Sequence, residues 1–120
     1  MSKSYDSMIE YVQARIHRLL HDEVIEHTIV VMRELGTGLS QLLAALGSSV
    51  EDLSEEQKQR LRDTLLPLTS ESIREALHKG ELSITNGIIR SKNRLLQLLG
   101  EEIPESHREI DPRNYHNYNW

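Results

Sequence analysis

An all-α fold is predicted: a small bundle of five or six helices, with a long N-terminal helix and an irregular C-terminal tail. Three observations predict it. The first 35 residues contain no glycine or proline and carry one apolar stripe at spacings of three and four: Tyr5, Met8, Ile9, Val12, Ile16, Leu19, Leu20, Val24, Thr28, Val31 and Leu35. That is the period of a single helix face. Eighteen leucines and no phenylalanine describe a core suited to helices packed ridge into groove. The β-branched runs, Ile29–Val30–Val31 and Ile88–Ile89, both fall inside helix-period patterns.

The first element is expected from about Ser4 to Leu35, with Gly36 as its stop. Such a helix is roughly 48 Å long, whereas a compact domain of this length is only about 35 Å across. Two outcomes follow. The helix breaks near His21–Asp22–Glu23, with Asp22 capping the second piece and Glu23 and Glu26 suiting its first turn. Otherwise its overhang packs on a second copy of the chain.

A short helix is expected from Gly38 to Leu46, capped by Thr37, with Leu39, Leu42, Leu43 and Leu46 on its face and Gly47 at its end. Residues 48–53 read as a loop or a single turn. Ser54–Glu55–Glu56–Gln57 is a capping box, in which serine oxygen and glutamine amide satisfy orphan backbone donors reciprocally. That helix should end near Leu66, because Pro67 pushes its predecessor out of the α region. Thr69 opens another helix towards Lys79, with Leu68 and Ile73 as a hydrophobic staple and Gly80 after its end. Ser83 caps a last helix that Gly100 closes, with Ile84, Ile88, Leu95, Leu98 and Leu99 on its face. Residues 1–100 thus form the bundle and 101–120 the tail. The tail has Pro104, Pro112, no periodic stripe, and three of the five aromatic side chains: Tyr115, Tyr118 and Trp120. Aromatic anchors on an extended segment suit docking in a groove.

Composition removes several classes of function. Without cysteine there is no disulfide framework, thiolate nucleophile or cysteine metal site. No apolar run reaches the eighteen or so residues that span a membrane. No charged-then-apolar leader opens the chain, so a cytoplasmic location is expected. Formal net charge is −5, which opposes a nucleic-acid footprint. The exception is 82–100, where Arg90, Lys92 and Arg94 stand without an acid. Exposed ion pairs with neighbouring acidic segments are the expected fate of these three. The helix-turn-helix outline around Leu39–Leu53 would aim Glu51, Asp52, Glu55 and Glu56 at phosphates, against the electrostatics of binding.

Few constellations point to chemistry. His17 and His21 lie four apart on one helix face, a spacing that can hold a divalent metal only with a third ligand. Glu75 and His78 have the Glu-x-x-His spacing of di-iron bundles, but that site needs two such motifs and further glutamates. Arg15 and His21 are separated by five residues, a spacing similar to the arginine–histidine motif of the HEPN ribonucleases. Ile16 stands where that motif has a polar residue, and two residues assign no family. No metal, cofactor or catalytic residue is therefore expected.

The reading that remains is a non-catalytic helical protein-binding module, or a small subunit of a larger assembly. It is expected to self-associate as a homodimer through Ile9, Val12, Ile16, Leu19 and Leu20, with Tyr115, Tyr118 and Trp120 as further partner contacts. The alternatives are a metal-dependent or ribonucleolytic helical enzyme, and a nucleic-acid-associated subunit.

Overall fold

The computed structural model describes residues 2–21, 28–69 and 82–109. Among these residues there are four α-helices, two 3-10 turns and no strand. The helices are α1 (Ser2–His21), α2 (Thr28–Leu46), α3 (Glu55–Leu65) and α4 (Leu82–Leu98). Helix α2 packs on both α1 and α4, and α3 touches α1 and α4, so the helices ring one core in the order α1, α2, α4, α3. The core joins Ile9, Val12 and Ile16 to Met32, Leu35, Leu39 and Leu42, to Leu61 and Leu65, and to Ile88, Ile89, Leu95 and Leu96.

The all-α class is as expected, with four helices among the described residues, but the long first helix is not found. Helix α2 packs back along α1, with Glu34 at Arg15 and Gly38 against Tyr11 and Val12, so the chain reverses between them and one continuous helix is not realised. Of the helix expected at Thr69–Lys79 only Thr69, its expected cap, is described; residues 70–79 and the Asp22 cap lie outside the described residues. Gly36 does not stop a helix: α2 runs through it and through Gly38 to Leu46. The reason is tertiary. A Cβ on Gly38 would lie 2.9 Å from the Tyr11 ring and 3.1 Å from Val12, so this glycine lets α2 close on α1. Burial of the α2 leucines outweighs the helix cost of about 1 kcal/mol per glycine.

Other local signals are realised. Ser54 Oγ accepts from Gln57 N at 3.1 Å, and Gln57 Oε1 accepts from Ser54 N at 2.9 Å, completing the capping box. The same glutamine donates through Nε2 to Asp6 Oδ1 at 3.0 Å, tying the start of α3 to α1. Val50–Asp52 forms a 3-10 turn between α2 and α3. Gly100 follows α4 with φ +85, in the left-handed region that favours glycine. Around it Glu101 N donates to Leu96 O at 2.9 Å and Gly100 N to Gln97 O at 3.0 Å. These two bonds are a Schellman stop, and they turn the chain back over α4.

Candidate functional site

The stripe expected to meet a second copy is covered within one chain. Ile9, Val12, Ile16 and Leu19 are all buried, and Leu20 packs half-buried at the edge of the same core. The molecule is elongated, 48 × 29 × 20 Å, so a twenty-residue helix about 30 Å long fits inside its long dimension. Stripe length therefore does not require a partner. Tyr115, Tyr118 and Trp120 lie outside the described residues, as do Glu75 and His78.

The residues weighed for chemistry do not converge. The His17 and His21 rings are 4.7 Å apart on an exposed face of α1. Among the described residues no three metal-ligating side chains gather. Arg15 is engaged elsewhere: it pairs with Glu34 at 3.5 Å and its guanidinium lies 3.8 Å from the Tyr11 ring centroid. The three bases of α4 do not share a face. Arg94 is exposed, Arg90 is paired with Glu109, and Lys92 is fully buried. The acid that answers Arg90 comes from the C-terminal segment, not from the acidic stretch before α4.

Helix α4 instead presents two features on different sides. The first is the seat of a C-terminal strap, residues 101–109. The buried stripe of α4 is Thr85, Ile88, Ile89, Lys92, Leu95, Leu96 and Leu99, a helix-period face with a lysine at its centre. His107, in the 3-10 turn Glu105–His107, is itself buried and its Nδ1 meets Lys92 Nζ. Burial holds the Lys92 ammonium well below its ordinary range, to about 7. His107 is pushed down as well, first by burial and then by the neighbouring Lys92 charge. Both causes favour a neutral imidazole whose Nδ1 accepts from the lysine. Asn93 Nδ2 donates to His107 O at 2.8 Å. Arg90 grips Glu109 with two bonds, at 2.8 and 3.3 Å, which raises the arginine pKa further. Arg62 of α3 holds the start of the strap, donating to Leu99 O at 3.1 Å and pairing with Glu101 at 3.5 Å.

These contacts order the strap. It leaves α4 at Gly100, is held at Glu101 by Arg62, then meets Asn93 and Lys92, then Arg90, so it runs back along α4 towards that helix's N-terminus. Sequence reading missed Lys92 as a core residue. The signal was present: position 92 is one helical turn from Ile88 and Ile89 on one side and from Leu95 and Leu96 on the other.

The second feature is an open groove of about 710 Å³ between α2 and α4. The row Gly36, Ser40 and Ala44 forms one wall; Ile84, Gly87 and Ser91 form the other. Met32 and Ile88 lie between them, and Arg33, Gln41 and Arg90 edge the groove. The small residues Gly36, Ser40, Ala44, Gly87 and Ser91 leave the concavity. Its surface is mainly apolar, and it is too open to enclose a small molecule as most ligand pockets do. Arg90 belongs to both features, since it lines the groove and holds Glu109. No helix among the described residues is long and apolar enough to cross a membrane. No protein-family model, curated protein or solved structure matches this chain.

Proposed function

We propose that the protein is a non-catalytic helical binding module that takes a peptide segment of a protein in the α2/α4 groove. The observation that carries this reading is the groove itself: an apolar trough along two helices, edged by polar and cationic side chains. An apolar centre with a polar rim is the usual anatomy of a protein-binding patch. A second copy is one possible source of the segment, and self-association then runs through the groove rather than through the buried stripe of α1.

The experiment uses Ser40→Glu and Ala44→Glu, two exposed positions on one wall. Proteins retained by the immobilised chain from its native host are identified, purified and titrated directly against the wild type and both variants. The expected result is binding to the wild type and at least tenfold weaker binding to the variants, with helical circular dichroism unchanged. Equal affinity for all three chains removes the groove from the reading.

A further inference from the structure

We propose that the groove is occupied by this chain's own aromatic segment, residues 110–120, folded back in cis. The inference rests on the groove being a peptide-binding surface. It names the resident segment and, with it, the kind of sequence a partner must present.

Direction comes first. The strap runs against α4 and is fixed at Arg90 through Glu109. One turn further along α4 are Gly87 and then Ile84, both walls of the groove. The segment after Glu109 therefore leaves its last anchor at the edge of the groove, already aimed along it. Reach is sufficient. Residues 110–115 span at most about 20 Å when extended, and the α4 wall from Ile84 to Ser91 is only about 10 Å long.

Chemistry comes second. Tyr115, Tyr118 and Trp120 each pair an apolar ring with a polar tip. The groove offers an apolar floor at Met32 and Ile88 and polar edges at Gln41 and Arg33. Among the described residues no atom lies within 4 Å of a Cβ built at Gly87, which leaves open space beside the helix backbone for a ring face. The tether decides between cis and trans. A short linker holds the segment at an effective concentration on the order of millimolar, far above that of a second copy in dilute solution. A partner then binds by presenting a similar aromatic segment and displacing the resident one.

The test uses the full chain and two independent readouts. Trp120 is the only tryptophan, so its emission reports on the segment alone. In the wild type it should be blue-shifted from free tryptophan and several-fold less quenched by acrylamide. Gly87→Leu puts a side chain into the open space and should shift the emission red and restore quenching, with helicity retained. The chain has no cysteine, so Ser40→Cys combined with Asn117→Cys gives a background-free disulfide. Mild oxidation should yield an internally cross-linked monomer on a denaturing gel. Solvent-exposed Trp120 emission in the wild type, or no cross-link, overturns the proposal. A cross-linked dimer overturns the cis assignment and gives the segment to a second copy. If Gly87→Leu fails to fold, the cysteine pair decides alone. A free Trp120 with partner binding still lost in Ser40→Glu removes this inference and leaves the binding-module reading standing.

Discussion

Two glycines of one protein make opposite predictions because their surroundings differ. At Gly38 an added methyl meets the Tyr11 ring and Val12 at 2.9 to 3.1 Å, inside the α1/α2 contact. Gly38→Ala should cost about 1–3 kcal/mol through overpacking, despite alanine's better helix propensity. At Gly87 no described residue comes within 4 Å of an added Cβ, so Gly87→Ala should gain about 0.5–1 kcal/mol from helix propensity. Urea denaturation of both variants checks the pair; a loss at Gly87 or a gain at Gly38 contradicts the packing described. Lys92 makes a prediction of a different kind. Its ammonium is lowered to about 7 from 10.5, so between those values the unfolded chain holds a proton that the folded chain has released. Stability therefore rises with pH across that window. Below 6.5 the depressed His107 adds a second slope of the same sign, since the unfolded imidazole protonates first. Acidification also removes the acceptor lone pair from Nδ1 and sets two cations together, so the strap should loosen there. Lys92→Met should flatten the rise between pH 7 and 10.5 in a series of melting temperatures and leave the fold intact. An unchanged slope in Lys92→Met assigns the pH dependence elsewhere.

At the scale of elements, the start of α3 is fixed twice by one side chain. Gln57 closes the capping box with Ser54 and also reaches Asp6 on α1. Ser54→Ala removes only the cap and should cost about 1 kcal/mol. Gln57→Ala removes both contacts from a buried position and should cost more. A double-mutant cycle between Asp6 and Gln57 isolates the bridge, with a coupling of about 0.5–1.5 kcal/mol expected. Zero coupling would show that the α1–α3 contact rests on packing alone. The strap is an element of another sort, since it has no hydrophobic periodicity. It is held by Arg62, Lys92, Asn93 and Arg90, four polar side chains spread along two helices.

At the scale of the molecule, the fate of the α1 stripe decides what its mutation does. Ile16 lies in the core of a single chain, between elements that already cover it. Ile16→Glu buries an unpaired carboxylate, which costs several kcal/mol and exceeds much of the stability of a domain this size. Loss of cooperative unfolding at any protein concentration is expected, measured by circular dichroism from low to high micromolar. Retained helicity with only a change of mass in sedimentation equilibrium would return the stripe to an intermolecular interface.

The helical class, the apolar face of α1, the capping box of α3 and the glycine stop after α4 are all legible in the order of residues. Each is a local property: a period of three to four, a side chain that reaches its own backbone, a φ that favours glycine. The same order also reads Gly36 as a stop, because propensity alone makes glycine a breaker. That Gly36 and Gly38 lie inside α2 follows from packing, since the benefit comes from α1 and α4 closing on that helix. The helical period of α4 already separates Lys92 from Arg90 and Arg94, but what each meets is tertiary, so the three bases became a clamp, a buried amine and a surface charge. The groove and the strap were illegible for the same reason. Each is made by residues 14 to 59 positions apart, and no local period records which two helices will leave a space between them.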